Sequence, residues 1–227
     1  MSRVAIIAAL PGELKPLVSG NGGNWRRSQP NVWTGTLAGH EATAIAGGIG
    51  SAAAARAVET ALTHGSPDAL VSYGWAGALT CALKPPGAYP ISEVIDHRSG
   101  EHFATRSPEG TRLVTLDRVA RPDEKRSLAQ KHQAVLVDME AATVARLAAQ
   151  NSIPFYCFKG ISDGYNDHLP DFSAFITESG QFRMPIFVTY AALRPVYWSA
   201  LIRLGKNSSE AASNLAQSLS KYLPTSL

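Results

Sequence analysis

The sequence predicts an α/β fold: one domain built on a central mixed, mostly parallel, twisted sheet flanked by helices. Three observations carry that reading. Between Arg3 and Ile161, short apolar runs alternate with helix-like stretches, the pattern of strands delivered to a sheet that helices cover. The chain has 227 residues, which suits one such domain better than two. It is 45% hydrophobic and only 17% charged, below the roughly 25% of an average domain. It can therefore bury a full core and leave part of its surface apolar.

The elements follow in order. Arg3–Ala8 is a short apolar run, read as a buried strand. Pro11-Gly12 stops it, and a run limited to Val4–Leu10 is no signal peptide. Glu13–Val18 reads as a short helix and Gly20–Gln29 as a polar loop. Val32–Leu37 and Glu41–Ala46 flank Ala38-Gly39-His40 as a β-hairpin. Gly47-Gly48-Ile49-Gly50 leads into an Ala-rich helix running to about His64, with Ser51 as its N-cap, and Gly65-Ser66-Pro67 ends it. Ala69–Tyr73 is the next buried strand, closed by Gly74-Trp75-Ala76-Gly77. Gly87–Val94 is a strand, and His102–Thr105 and Arg112–Leu116 form a second hairpin around Ser107-Pro108-Glu109-Gly110. Pro122–Lys131 is a helix with proline at its first position. Ala134–Val137, Glu140–Gln150 and Phe155–Ile161 read as strand, helix and strand. Residues 1–183 then form the α/β domain and 184–227 an amphipathic helical tail.

The tail differs in character. Met184–Leu204 carries Phe187, Tyr190, Leu193, Val196, Tyr197, Trp198, Leu201 and Ile202, interrupted by Arg194 and Pro195. Those interruptions argue against a membrane span. Two readings stand: a helix packed on the domain or at a subunit interface, or a segment lying on a membrane surface with aromatics and arginines at the interface.

The bulk chemistry excludes several classes. A net charge of +3 is too weak to argue for nucleic acid. Cys81 and Cys157 are far apart and lack metal-ligand spacing, as expected of reduced thiols in a cytosolic protein. The six histidines show no metal-like grouping. No metal and no organic cofactor is expected, and no Gly-x-Ser-x-Gly elbow marks an esterase.

The chemistry-bearing pieces fall at strand ends, where open α/β sheets bind ligands. Val137-Asp138-Met139-Glu140-Ala141-Ala142 puts a carboxylate at a helix start, where the helix dipole also favours it. Gly160-Ile161-Ser162-Asp163 puts a second acid past the next strand, where capping is the ordinary alternative. Two such acids can divide the work, one holding hydroxyls and one donating a proton. Glu13 follows the first strand; taken alone, such a residue is most often a solvated helix residue. Gly47–Gly50 allows close backbone approach at a helix start, which favours an anion or polar oxygen, but a tight turn without ligand explains it as well. Trp75 can close a pocket or fill the core.

These pieces, in this order, resemble the nucleoside phosphorylase and nucleosidase superfamily, in the branch that includes 5′-methylthioadenosine/S-adenosylhomocysteine nucleosidase. The resemblance covers Met1 to about Phe175. It rests on Ala8-Ala9-Leu10 with Glu13, Gly48-Ile49-Gly50, Gly74-Trp75-Ala76-Gly77, Val137-Asp138-Met139-Glu140-Ala141 and Ile161-Ser162-Asp163. Leu116-Asp117-Arg118-Val119-Ala120, and Arg194-Pro195 followed by Leu201-Ile202-Arg203-Leu204, are most similar to the hopanoid-biosynthesis-associated members. Those members are implicated in removing adenine from adenosylhopane, a lipid carrying a 5′-deoxyadenosyl unit.

The resemblance implies roles. Asp163 would protonate or hydrogen-bond the adenine leaving group at N7, and Glu13 would orient the attacking water. Glu140 would accept hydrogen bonds from ribose hydroxyls, with Met139 against the sugar. Ala76 and Gly77 would line the pocket by backbone contact, and Ile49, Gly50, Trp75, Val119 and Lys159 would complete it. It also implies a homo-oligomer, expected to be a dimer. The chain departs from the nucleosidase pattern at Trp75, where serine is usual, at Lys159, where arginine is usual, and near Val119, where an aromatic stacks on adenine. These departures fit a different 5′-substituent.

The expected activity is cleavage of the N-glycosidic bond of a 5′-substituted adenosine, with adenosylhopane as a candidate lipid-linked substrate. The expected location is cytoplasmic, at the inner face of the membrane if the tail docks there. Hydrolysis is favoured over phosphorolysis. No Gly-Asp-Pro-x-Arg-like loop is present, Trp75 removes a phosphate-contacting hydroxyl, and Glu13 would repel phosphate. Lys159 and the Gly47–Gly50 backbone remain as candidate anion ligands. The alternatives are a methylthioadenosine/S-adenosylhomocysteine nucleosidase, a purine nucleoside phosphorylase and, in another class, a nucleoside-binding protein without catalysis.

Overall fold

A computed structural model describes residues 1–20, 23–107 and 109–224. Two residues of the expected 20–29 loop, and Pro108 of the expected turn, lie outside the described residues. The sheet is built from β1 (Arg3–Ala8), β2 (Arg26–Gln29), β3 (Val32–Leu37), β4 (His40–Ala46), β5 (Ala69–Ala78), β6 (Ala88–Asp96), β7 (His102–Ala104), β8 (Thr111–Thr115), β9 (Leu136–Asp138) and β10 (Phe155–Asp163). The helices are α1 (Pro11–Ser19), α2 (Ser51–Thr63), α3 (Pro122–His132), α4 (Ala141–Gln150), α5 (Met184–Ala192) and α6 (Trp198–Tyr222).

The fold is α/β with a mixed sheet, as the strand–helix alternation predicts. Among the described residues, its ladders divide evenly. β1–β4, β1–β5, β5–β10, β6–β8 and β8–β9 are parallel, whereas β2–β3, β3–β4, β5–β9, β6–β7 and β6–β10 are antiparallel. Five strands close on themselves in the order β5-β10-β6-β8-β9, and β1-β4-β3-β2 extend the sheet from β5. The core fills the space between this sheet and its helices. Leu70, Ile91, Val94, Leu113 and Leu136 pack with the α2 and α4 alanines on one side. Val71, Tyr73 and Phe158 pack with Leu14, Leu215 and Leu219 on the other.

Four local expectations are corrected. Arg26–Gln29 is not loop; it pairs with β3 as an exposed edge strand. Gly74–Gly77 does not end β5, because β10 pairs alongside it through Gly77. The segments at 102–104 and 111–115 do not pair with each other. A tight turn with Gly100 at φ +74° folds β7 back onto β6, and β8 joins the opposite edge of β6 in parallel. Ser51 is the first helical residue of α2; the cap position is Gly50, at φ +90°, a conformation that favours glycine.

The segment from Met184 is also not one helix. Pro195 has no N–H to continue a helical ladder and pushes the residue before it out of the helical region, and Arg194 sits at φ −132°, ψ 78°. α5 ends at Ala192, a single 3₁₀ turn spans Pro195–Tyr197, and α6 starts at Trp198. Packing differs along the tail. α5 has no buried residue, whereas α6 buries Ser208, Ala211, Ala212, Leu215, Ser218 and Leu219. The second half of α6 therefore belongs to the core around β10, and Asn214 donates to the Pro86 carbonyl at 2.9 Å.

Truncating a buried leucine leaves a cavity and typically costs about 2–5 kcal/mol. Leu215→Ala is expected to lose that much in urea unfolding. Ile202→Ala, at a residue 74% exposed on the same helix, is expected to change stability by no more than about 0.5 kcal/mol. Equal losses would show the helix to be uniformly packed.

Candidate active site

The ends of β1, β4, β5, β8, β9 and β10 converge on a cavity of about 280 Å³, near the lower end of the roughly 300–1,000 Å³ usual for small-molecule sites. Its lining combines several carboxyls and basic groups with apolar and aromatic side chains. Of the eleven site residues expected from the sequence, nine line it: Glu13, Ile49, Trp75, Ala76, Gly77, Val119, Met139, Glu140 and Asp163. Gly50 and Lys159 do not stand on the wall but brace it from behind.

Glu13 arrives on the first turn of α1. It is 4% exposed and accepts three backbone hydrogen bonds, from Ala9 and Leu10 at 2.8 Å and from Trp75 at 2.7 Å. Gly74 makes this possible, since a Cβ there would lie 2.5 Å from Glu13 Oε1. Burial raises the Glu13 pKa, against the pull of the three N–H groups and Lys159. Trp75 lines the cavity and also donates its indole N–H to the Ser208 carbonyl at 2.9 Å. It thus both closes the pocket and anchors α6 to β5.

Glu140 caps α4. Its Oε1 accepts the Gly50 N–H at 2.7 Å, so the glycine turn after β4 serves a carboxylate of the protein itself. The neighbouring N–H groups are also spent: Gly47 donates to Ala8 O, Gly48 to Ala9 O and Ile49 to Gly180 O. The expectation that this turn offers its backbone to an anion is corrected accordingly. Burial, with Asp138 adding to it, pushes the Glu140 pKa up to about 8, and Lys159 and the Gly50 N–H oppose the rise.

Lys159 is likewise not an anion ligand. Its Nζ lies 2.8 Å from Asp138 Oδ2, both side chains being essentially inaccessible. Burial alone would lower the Lys159 pKa, but Asp138 prevails and raises it, so this lysine stays charged. Asp138 also accepts Thr115 Oγ1–H at 2.6 Å and the Ala141 N–H at 2.9 Å.

Asp163 occupies the last position of β10. The register shifts between Ile161 and Asp163, a bulge that re-aims the side chain toward the cavity. Ser162 Oγ donates to its Oδ1 at 2.9 Å, and Lys125 Nζ donates to its Oδ2 at 2.9 Å.

Sequence reasoning missed Lys125, Arg118, Asp138 and the apolar wall of Leu169, Phe172, Ile176, Phe182, Met184 and Leu204. Lys125 carried a signal, since it lies three residues before Leu128 on the buried face of α3, and a lysine on an apolar stripe requires a partner. Asp138 stands three residues before Ala141, the spacing of a helix-capping acid. The aromatics sit in irregular chain, where no periodicity marks them. Arg118 forms a two-pronged pair with Glu124, with Nη2 to Oε2 at 2.7 Å, and holds the Glu124 pKa down at about 2.

Fold and site together define a class: single-domain α/β proteins whose strand ends deliver several carboxyls to one small-molecule cavity. The chain belongs to the Phosphorylase superfamily of enzymes, whose family profile matches residues 3–108 and 96–189. It is 22% identical to the 5′-methylthioadenosine/S-adenosylhomocysteine nucleosidase of Shewanella oneidensis, over 78% of this chain and 91% of that protein. Its fold superposes on that of the Neisseria meningitidis nucleosidase of the same name, solved with methylthio-immucillin-A, with a TM-score of 0.72, 20% identity and all of both chains covered. It also superposes on the futalosine hydrolase of Helicobacter pylori, with a TM-score of 0.71, 15% identity, and 98% and 97% of the two chains covered.

The raised pKa of Glu140 has a consequence for stability. Between the ordinary carboxyl value of 4.5 and about 8, the folded protein holds a proton that the unfolded chain releases, so this group's contribution is lost as pH rises through that window. Glu140→Gln cannot ionise. Its melting temperature relative to wild type is expected to climb from pH 5 to pH 8 and then level off. Parallel curves across that range would show that Glu140 ionises at its ordinary pH.

Proposed function

We propose that the protein releases adenine from a 5′-substituted adenosine, with water as the nucleophile. The observation that carries the reading is the placement of Glu13, Glu140 and Asp163, from three separate strand ends, on one cavity whose lining is otherwise largely apolar. Asp163 faces N7 of the departing base, which leaves more readily from an oxocarbenium-like transition state once neutralised. Glu140 holds the ribose hydroxyls, with Met139 against the sugar. Glu13 orients water on the lone pairs that its three backbone donors leave free, and Ala76 and Gly77 present backbone to the substrate. That the relatives named above are a nucleosidase and a hydrolase supports water over phosphate.

The 5′-substituent runs along Phe172, Ile176, Phe182, Met184 and Leu204. This apolar wall leads to the exposed side chains of α5, the following 3₁₀ turn and the start of α6. Met184, Ile186, Val188, Leu193, Val196, Trp198 and Ile202 are each at least half exposed, and Arg183, Arg194, Arg203 and Lys206 lie among or just beyond them. None of the described helices is long and apolar enough to cross a membrane. Exposed apolar side chains interspersed with arginines suit the surface of a bilayer, which supports a lipid-linked substrate such as adenosylhopane over a small soluble thioether.

The test is adenine release from methylthioadenosine, S-adenosylhomocysteine and a hopane-linked adenosine, each with and without phosphate. Phosphate-independent release, fastest from the lipid-linked compound, is the expected result. Preference for the soluble thioethers would make the protein a general nucleosidase, and release from none would end the proposal. Asp163→Asn is expected to lower turnover by at least about 100-fold while keeping the fold, with a lower melting temperature because Lys125 loses its counter-charge. Full activity in that variant would remove Asp163 from the chemistry.

A further inference from the structure

We propose that Lys125 supplies the proton that the departing base takes up, handed across the Asp163 carboxylate. The inference rests on the adenine-releasing reading above and deepens it. Lys125 Nζ donates to Asp163 Oδ2 at 2.9 Å and to the Gly164 carbonyl at 2.9 Å, and its side chain is 3% exposed. Asp163 Oδ1 meanwhile accepts the Ser162 hydroxyl. The pair is thus an ammonium and a carboxylate, with both carboxylate oxygens accepting. A carboxylate in that state has no proton to give. The proton nearest the leaving base is on the lysine.

The surroundings provide a route for its return. Lys125 and Asp163 line the substrate cavity and also a second cavity of about 380 Å³, walled further by Arg121, Asp123, Asp167 and Asp171. The ion pair therefore borders both the substrate cavity and this second cavity, whose lining carries those four charged side chains. Lys125 has three N–H donors, of which two are spent on protein acceptors among the described residues. The third has no protein acceptor among the described residues.

The step balances. As the C1′–N bond breaks, its electron pair stays with the base, which becomes far more basic than a carboxylate. A proton passes from the Lys125 ammonium to Asp163 Oδ2 and on from there to the base, leaving Asp163 a carboxylate again and Lys125 a neutral amine. Water adds its oxygen to C1′ and releases a proton, and the neutral Lys125 amine is reloaded from water on the polar side. The sum is nucleoside plus water giving base plus pentose.

The experiment compares Lys125→Arg with wild type on two substrates: the best adenosine substrate from the assay above, and 4-nitrophenyl riboside, whose leaving group departs without a proton. Arginine keeps the positive charge and the ion pair but does not give up its proton near neutral pH. Adenine release is expected to fall about 100-fold more than nitrophenolate release, at unchanged KM and melting temperature. The residual adenine release should rise as pH is lowered and hydronium replaces the missing donor. Wild-type adenine release in Lys125→Arg, or an equal fall on both substrates, would overturn the proton-supply role and leave Lys125 an electrostatic or structural partner. A wild-type enzyme that releases no adenine at all would instead overturn the reading on which this inference rests.

Discussion

The site depends on one buried ion pair, Lys159 with Asp138. Lys159 stands in β10 and Asp138 at the end of β9, 2.8 Å apart and shielded from water. Asp138 also accepts from Thr115 at the end of β8 and from the first turn of α4, and Thr115 Oγ1 in turn accepts the Ala142 N–H. A single carboxylate therefore ties three strands and a helix where the sheet closes. Removing either member would strand the other charge in the interior, a loss of about 3–5 kcal/mol in comparable buried pairs.

That pair also sets the charge state of the pocket. Three carboxyls, Glu13, Asp138 and Glu140, lie within the influence of Lys159. One cation cannot balance three anions where water is excluded, so the carboxyl nearest the lysine takes the charge. Asp138 holds it, and Glu140 is pushed up to about 8. A protonated Glu140 can donate as well as accept, which suits a pair of sugar hydroxyls better than a bare carboxylate would. Asp163 is outside this competition because it has its own cation in Lys125. The two lysines thus divide the pocket into an end where a carboxyl stays neutral, the sugar end in the proposed reading, and an end where Asp163 keeps a cation beside it, the base end in that reading.

How much of this was legible varied with the kind of signal. The sheet and its helices were, because apolar runs at strand spacing and helix-starting residues such as Pro122 act locally. So were Glu13, Glu140 and Asp163, because each follows a strand closely and strand ends meet at one rim. The closure of the sheet was not, since the antiparallel contact of β9 with β5 depends on long-range geometry that no local pattern encodes. The same holds for Lys159. Its spacing from Asp163 placed it correctly in β10, but only three-dimensional proximity shows that Asp138 consumes its charge. Lys125 went unread because an amphipathic helix rich in charge hides one inward lysine among outward ones. The aromatic wall is held by ring-to-ring contacts such as Phe172 on Phe187 at 5.5 Å and Phe175 on Tyr190 at 5.0 Å, and such clusters have no period.

The choice between water and phosphate comes down to what the pocket has left to offer. A phosphate dianion needs unclaimed N–H groups and cations, ideally the fork of an arginine. Here the four N–H groups of the glycine turn go to Ala8, Ala9, Gly180 and Glu140. Among the described residues, the cations on or behind the wall are each paired: Arg118 with Glu124, Lys125 with Asp163, Lys159 with Asp138. The backbone donors nearest the first strand already hold Glu13, so a protein carboxyl sits where an incoming anion would seek them. Admitting phosphate would mean breaking at least one buried pair or taking the backbone donors away from Glu13. Water requires neither, which favours the proposed hydrolysis with Glu13 orienting the nucleophile.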